Sequence, residues 1–306
     1  MQLRQIRYVL EVNRCGNNIS AAAEALHTSQ PAISKQIQLL EYELGFNIFE
    51  RTRNRVVGLT DPGQEVLKIA QRIFSDIENL RSIRDDYDNL QQGRLVIATT
   101  HTHARYILPK VINAFLKRYP RVQIGLLQGN PTEICEMIES GVADLAIGTE
   151  AMRSFPSLAV LPCFEIKRSV IAPKDHPILT VEPLTLEEIA KYPVIAHDAF
   201  RSGQWKILDA FVRRGIELNI PFTAVDADIG KTYVELGLGI AILATVAVDP
   251  LHDGDLRARD ASHLFESSTT AIRFRKSAYL RRYIYDFIQT MAPNMTKKVV
   301  QSHQRS

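Results

Sequence analysis

Apolar side chains recur at three- and four-residue steps over three short stretches at the front of the chain, which predicts three helices before residue 45. Leu3, Ile6, Val9 and Leu10 mark the first, the alanine-rich run Ile19 to Leu26 the second, and Ile33, Ile37, Leu40 and Leu44 the third. Only His27-Thr-Ser-Gln30 separates the second from the third. Pro31 suits a first helical turn, where its missing N–H has no partner to lose, and Ser29 before it can cap. Two short helices joined this tightly describe a helix-turn-helix. In that motif the leading end of the second helix reaches base edges in the DNA major groove. Thr28, Ser29, Gln30, Pro31, Ser34, Lys35 and Gln38 are therefore the candidate DNA contacts. Gln can bond adenine twice, Lys can reach guanine or a phosphate, and Ser can serve base or backbone. The plainer alternative is a helical hairpin with a solvated polar face.

Residues 45 to 60 then alternate polar and apolar around Arg51, Arg53 and Arg55, the period of a small hairpin or wing. Phe46, Phe49, Val57 and Leu59 are expected to face the helices. Three arginines in five residues beside a reading helix would neutralise phosphates and supply sequence-independent affinity. On that basis Arg51→Ala and Arg53→Ala should weaken binding to all sequences, whereas Gln30→Ala should change sequence preference. Thr60-Asp-Pro-Gly opens another helix, capped by Thr60 or Asp61. Along it Val66, Ala70, Ile73, Ile77 and Leu80 step by four and three, the seam of a dimeric coiled coil. Ile69, Phe74 and Ile83 lie off that seam and are expected to hold the helix to the first domain.

After Gln91-Gln-Gly93 strands alternate with helices: strands 94–99, 122–128, 143–148, 168–172, 194–196, 222–225 and 240–243, with helices at 108–119, 131–140, 186–191, 205–215 and 228–236. Such alternation predicts mostly parallel sheets covered on both faces, arranged as two α/β lobes with a cleft between them. Ligands in open α/β sheets sit beyond the carboxyl ends of the strands.

Composition narrows the class. The chain has 306 residues, enough for two or three domains, with 45% apolar and 23% charged residues and a formal charge of +3. So small a net charge makes any nucleic-acid signal local. Cys15, Cys135 and Cys163 are scattered, odd in number and in no metal-like spacing, which fits a reducing cytosol and argues against a disulfide framework. No apolar run approaches a membrane span and the N-terminus has no signal-peptide core, so a cytoplasmic location is expected.

For a ligand, the strand ending at Thr99 runs into Thr100-His-Thr-His103 and a helix, placing hydroxyls and imidazoles at a helix N-terminus that attracts anions. Thr100, Thr102 and His103 are the first-lobe candidates; Ser202 and Gly203, before Trp205, are those of the second. Asp226 and Asp228 suit caps and inter-lobe hydrogen bonds. His101 and His103 without a carboxylate or thiolate make a poor metal pair. No Gly-rich phosphate loop, nucleophile elbow or H-E-x-x-H signature is present, so neither an enzyme nor a resident metal or cofactor is expected.

Taken together, Ala22-Ala-Glu-Ala-Leu-His-Thr-Ser-Gln-Pro-Ala-Ile-Ser-Lys-Gln-Ile-Gln-Leu-Leu-Glu-Tyr-Glu-Leu-Gly45, Phe49-Glu-Arg51 and Leu59-Thr-Asp-Pro-Gly63 resemble the DNA-binding signature of the LysR-type transcriptional regulators. Ile97-Ala-Thr-Thr-His-Thr-His-Ala-Arg-Tyr106, Arg118-Tyr-Pro-Arg-Val122, Asp226-Ala-Asp228, Lys231-Thr-Tyr233, Leu236-Gly-Leu-Gly239 and Tyr285-Asp-Phe-Ile-Gln289 are similar to the CysB and Cbl branch. The resemblance, which runs to about residue 293, implies an α/β chain with an N-terminal all-α winged helix-turn-helix and a C-terminal two-lobed, periplasmic-binding-protein-like (type 2) effector domain. The implied boundaries are 1–60 for the DNA-binding domain, 61–92 for a linker helix and hinge, and 93–306 for the effector domain, with lobe I at 93–163 and 267–306 and lobe II at 164–266. It also implies control, as an activator, of sulfur-assimilation and cysteine-biosynthesis genes. The partners would be promoter DNA, RNA polymerase and further copies of the chain in a dimer of dimers, and the effector a small anion such as sulfate, O-acetylserine or N-acetylserine. Effector contacts fall on Thr100, Thr102, His103, Thr149, Ser202 and Asp226. The chain departs from the branch at His103, usually Gln, at Ser202, usually Thr, and at Ile166, usually Trp. An unperturbed imidazole at 103 would gain charge below about pH 6.5 and tighten anion binding there. Two alternatives remain: a LysR-type regulator of another pathway such as sulfonate use, or a two-lobed solute-binding protein or enzyme built on residues 93 to 306, which leaves the first 60 residues unexplained.

Overall fold

The second and third helices each begin at a side-chain cap. Helix α1 spans Leu3–Arg14, α2 Ile19–Ala25 and α3 Gln30–Leu44. Asn18 Oδ1 accepts from the N–H groups of Ser20 and Ala21 at 3.0 and 3.1 Å, and Ser29 Oγ accepts from Ala32 N at 3.4 Å. These bonds satisfy donors that the helices themselves leave open. Gly45, at φ 79°, ends α3 in the left-handed conformation that glycine adopts without strain. The structure is a computed structural model that describes residues 1–52, 55–87, 92–197, 205–249 and 253–305.

Two compact units divide the chain, the first built on Met1–Arg81 and the second on Ser82–Glu139 and Ala143–Ser306. In the first, Ile33, Ile37 and Leu40 pack on Val9, Val12, Ala22, Ala23, Ile48 and Phe49, the stripe that periodicity predicts. The wing is the antiparallel pair β1 (Phe49–Thr52) and β2 (Arg55–Leu59). Its register shifts between Glu50 and Arg51, leaving Val57 without a partner. That extra residue is a bulge. It sends Val56 and Leu59 against the core and leaves Val57 exposed, so the inward face expected from strict alternation is corrected at Val57. Phe46, which precedes the wing, is also exposed rather than packed.

Helix α4, Asp61–Tyr87, is capped by Thr60, whose Oγ1 accepts from Gly63 N at 3.0 Å. Its first turns reverse the assignment of faces read from the sequence. Val66 and Leu67 pack on the core of the first unit and Ala70 is buried, whereas Ile69 is exposed. The seam and the docking face share residues where the helix leaves its own domain; further along, Ile73 and Ile77 are half-buried and Leu80 is 68% exposed.

The second unit holds two five-stranded sheets. The lobe I sheet has the order β4-β3-β5-β12-β6, with β3 Gln92–Thr99, β4 Arg121–Gln128, β5 Leu145–Gly148, β6 Leu158–Ile166 and β12 Ser268–Arg275. The lobe II sheet has the order β11-β7-β10-β8-β9, with β7 Arg168–Pro173, β8 Val194–His197, β9 Phe222–Ala224, β10 Ile240–Ala244 and β11 Leu256–Asp260. Each is mixed: β3 pairs in parallel with β4 and β5 while β12 runs antiparallel to β5 and β6, and β8 pairs in parallel with β9 and β10 while β7 runs antiparallel to β10 and β11. The expected mostly parallel sheets are corrected by these returning strands.

Helices α5 (Leu108–Arg118), α10 (Arg282–Met291) and α11 (Lys297–Arg305) cover one face of lobe I, and α6 (Pro131–Glu139) covers the other. Lobe II is covered by α7 (Leu186–Ala190) and α8 (Trp205–Val212) on one face and by α9 (Ala227–Glu235) on the other. The chain crosses between lobes at Lys167 and again between Asp260 and Ser268. The two crossings meet where Arg168 Nη2 donates to Ser268 Oγ at 3.5 Å.

Candidate effector site and nucleic-acid interface

At the reading helix, the polar face is open. Ser29, Gln30, Pro31, Lys35 and Gln38 are exposed, and Thr28 and Ser34 are half-buried beside them. Ser29 Oγ accepts in the cap and keeps its O–H, and the exposed long polar side chains on this face are Gln30, Lys35 and Gln38. In the wing, Arg51 Nη1 donates to Glu41 Oε2 at 2.8 Å, and the Oε1 of that buried carboxylate accepts from the N–H groups of Ile48 and Phe49 at 2.9 and 3.1 Å. Glu41 therefore ties the wing to α3, and its charge is matched by Arg51, whose side chain is 24% exposed. Arg51 thus braces the wing through Glu41. Arg53 and the side chain of Arg55 lie outside the described residues.

In the second unit, three helix starts converge on a cavity of about 210 Å³ between the lobes. The segment after β3 turns helical at His101, and its first internal bond runs from Ala104 N to Thr100 O at 3.0 Å. Asn130 Oδ1 caps α6 by accepting from Thr132 N and Glu133 N at 2.9 Å, and Asp226 Oδ1 caps α9 by accepting from Ile229 N at 2.9 Å. Each start carries partial positive charge, so their convergence favours an anion. Thr100, Thr102, His103, Thr149 and Asp226 all line this cavity, joined by Gln128, Asn130, Ile166 and Arg168. Ser202 lies outside the described residues.

The helix after Thr102 opens with five π-helical residues, His103–Ile107, closed by a bond from Leu108 N to His103 O. Pro109 explains the widening: it has no N–H for the carbonyl four residues back, so the ladder slips by one. The slip turns His103 inward, where it is 2% exposed. Its Nδ1 lies 2.7 Å from Thr100 Oγ1 and its Nε2 2.9 Å from Thr270 Oγ1. Burial, with the nearby charges of Arg168 and Arg273, lowers its pKa to about 4. The ring is neutral at physiological pH, which corrects the expectation that it gains charge near pH 6.5. Both its nitrogens are taken by threonines, so it forms no metal pair with His101.

Arg168 is the residue missed by sequence reasoning. It opens β7, is 8% exposed and lines the cavity, and among the described residues no carboxylate lies within 4 Å of it. Burial lowers its pKa to about 10, with Glu150 acting against the shift, so the guanidinium stays charged. A buried cation facing a cavity without an ion-pair partner is costly unless an anion joins it. The signal available in the sequence was an arginine heading an otherwise apolar strand.

Beyond the cavity wall, His101 Nε2 lies 3.4 Å from Asp228 Oδ2 and 4.0 Å from Asp226 Oδ2. This is the grouping among the described residues that could hold a metal ion. Asp228 is already flanked by Lys231 Nζ at 3.2 Å and Arg105 Nε at 3.8 Å, and it accepts from the Tyr106 hydroxyl. Lys231 is buried, and burial pulls its pKa down, but bonds to Asp253, Tyr106 and Asp228 outweigh that and raise it. Tyr106 of lobe I and Asp228 and Lys231 of lobe II thus latch the lobes beside the cavity. A further contact between the lobes is made by Lys206 Nζ of α8, which reaches Glu150 Oε1 at 3.2 Å and Ser267 O at 3.1 Å.

A winged helix-turn-helix joined to a two-lobed domain with an inter-lobe cavity defines a ligand-responsive DNA-binding regulator. Residues 3–64 match the family of bacterial regulatory helix-turn-helix proteins, lysR family, and residues 88–296 match the LysR substrate binding domain. The chain is 44% identical over 301 residues to the HTH-type transcriptional regulator CysB of Burkholderia cenocepacia, covering 98% of this chain and 96% of that one. It is 46% identical over 297 residues to the HTH-type transcriptional regulator SsuR of the same organism, covering 97% and 96%. A crystal structure of the cofactor-binding domain of the Cbl transcriptional regulator superposes with a TM-score of 0.65 at 37% identity, covering 69% of this chain and 92% of that one. The chain belongs to the LysR family of transcriptional regulators. Within it the chain stands with CysB, SsuR and Cbl, the sulfur-assimilation branch expected from the sequence, and it acts by binding DNA rather than by catalysis.

Proposed function

We propose that this regulator adjusts transcription of sulfur-assimilation genes according to whether a small oxyanion, sulfate or an acetylserine, occupies the inter-lobe cavity. The observation that carries the reading is Arg168, a buried guanidinium lining the cavity without a carboxylate within 4 Å among the described residues. Thr100, Thr102 and Thr149 supply hydroxyls to the same space, and Asn130 an amide. At about 210 Å³ the cavity is below the range of about 300–1,000 Å³ common for drug-sized ligands, which favours sulfate or an acetylserine over a nucleotide effector.

The exposed Gln30, Lys35 and Gln38 read promoter DNA in the major groove, and Arg53 and Arg55 hold its phosphates. Exposed Leu80, with Ile73 and Ile77, pairs α4 with that of a second copy, and two such dimers form a tetramer. A dimer reads two half-sites where one winged helix reads too few base pairs for useful specificity. Activation involves contact with RNA polymerase in the cytoplasm; no helix among the described residues is long and apolar enough to cross a membrane.

Titration calorimetry of the full chain with sulfate and with O-acetylserine tests the ligand. Binding is expected for at least one of them, weakened about tenfold or more in Thr102→Val by loss of one charge-assisted hydrogen bond. No heat from either ligand would reject the oxyanion reading.

A further inference from the structure

Thr270 lies within β12 with no solvent exposure, and its hydroxyl meets His103 Nε2 at 2.9 Å. Across the ring, Nδ1 meets Thr100 Oγ1 at 2.7 Å, and Thr100 lines the cavity. A neutral imidazole has one N–H and one lone pair, so it donates to one threonine and accepts from the other. The direction is set by the end that has no choice. Among the described residues the Thr270 hydroxyl makes no other hydrogen bond. If Nε2–H donated to Thr270, the Thr270 O–H proton would be buried without an acceptor, at a cost of about 1–3 kcal/mol. If Thr270 donates to Nε2, its proton is satisfied, the ring proton must sit on Nδ1, and Nδ1–H donates to Thr100 Oγ1. Thr100 then has its oxygen occupied from behind and its own O–H left for the cavity.

We propose that Thr270, His103 and Thr100 form a one-way hydrogen-bond chain that fixes the Thr100 hydroxyl as a donor toward the cavity and so selects a hydrogen-bond acceptor on the ligand, an anionic oxygen above all. The chain rests on the oxyanion reading of the cavity and deepens it. Sulfate, a sulfonate or a carboxylate meets the requirement at this position most strongly; an ammonium group, which has no lone pair, does not. His103 and Thr270 act through Thr100 and are positioning residues. Burial serves the chain twice, since it keeps the ring neutral and keeps water from offering Thr270 another acceptor.

Two measurements test it. In the full chain labelled with 15N-histidine, with the His103 signals identified by their absence in His103→Gln, the Nδ1 nitrogen is expected to be protonated and Nε2 bare, both with and without sulfate. A predominant Nε2–H tautomer would overturn the chain. Sulfate titration then reads its effect on binding. Thr270→Val is expected to lower sulfate affinity about fivefold or more although the residue does not line the cavity, with His103 losing its single tautomer. Thr270→Ser, which restores the donor, and His103→Gln, whose amide can accept from Thr270 and donate to Thr100, are expected to stay within about threefold of wild type. Unchanged affinity in Thr270→Val would also overturn it. The Nδ1–H tautomer in a protein that binds no sulfate would uphold the hydrogen-bond chain and overturn only the oxyanion reading.

Discussion

Replacing Arg168 by methionine is expected to lower the affinity for a bound oxyanion by about a hundredfold or more, while leaving the unliganded fold at least as stable. The two effects have one cause. The guanidinium is buried where the two inter-lobe crossings meet, its hydrogen-bond partner among the described residues is the neutral Ser268 hydroxyl, and no carboxylate lies within 4 Å. Removing a buried cation from an anion costs about 2–5 kcal/mol of binding, the range measured for truncation of buried charge pairs. Removing the same cation from the empty cavity relieves an uncompensated desolvation, and methionine retains much of the side chain's volume. Titration calorimetry and thermal unfolding of the same variant check both halves. An unchanged affinity would show that the anion is held by threonines and helix N-termini alone. A large loss of stability would mean that Arg168 braces the hinge rather than waiting for a ligand.

The second large effect is acid lability centred on His103. Its pKa in the folded chain is lowered to about 4 from the usual 6.5. Between those values the unfolded chain binds a proton that the folded chain refuses, so protonation favours unfolding and stability falls as pH falls. The contribution is intact above pH 6.5 and reaches about 3 kcal/mol of lost stability near pH 4, at 1.36 kcal/mol for each pH unit separating the two pKa values. His103→Gln has no proton to take up there. Calorimetric scans of the two chains between pH 7 and 4 are expected to show wild type losing about 3 kcal/mol more than the variant in the unfolding of the second unit. Equal losses would show that His103 is charged, or solvated, in the folded chain.

The reading helix was legible because each local rule agrees there: Ser29 caps, Pro31 opens the first turn, and Ile33, Ile37 and Leu40 fall on one buried face. Part of the cavity wall was legible for a related reason, since Thr100, Thr102 and Asp226 stand at helix starts that punctuation in the chain reveals. What was hidden depends on partners far away in sequence. The strand β12 escaped notice because Thr270, Arg273 and Arg275 are buried polar residues that spoil its apolar pattern; Thr270 bonds His103 on the helix after β3, and Arg273 bonds Gly148 O on the neighbouring strand. Arg168 stands in the sequence only as the first residue of a strand, and its surroundings depend on the second crossing, which the fold places against it. The bracing of Arg51 was hidden because its partner Glu41, ten residues earlier, lies on another element. Val57 was misplaced by a bulge, and the roles of Val66 and Ile69 were exchanged because one apolar stripe on α4 serves first the core of its own unit and only then the exposed stretch at Leu80.

Footprinting of a sulfur-assimilation promoter with the full chain tests the central claim most directly, since it asks whether an anion in the cavity is felt at the DNA. The protected region or the concentration needed to protect it is expected to change when sulfate or O-acetylserine is added to wild type, and to stay fixed in Arg168→Met. A wild-type footprint that is the same in extent and affinity with and without either ligand would contradict the account.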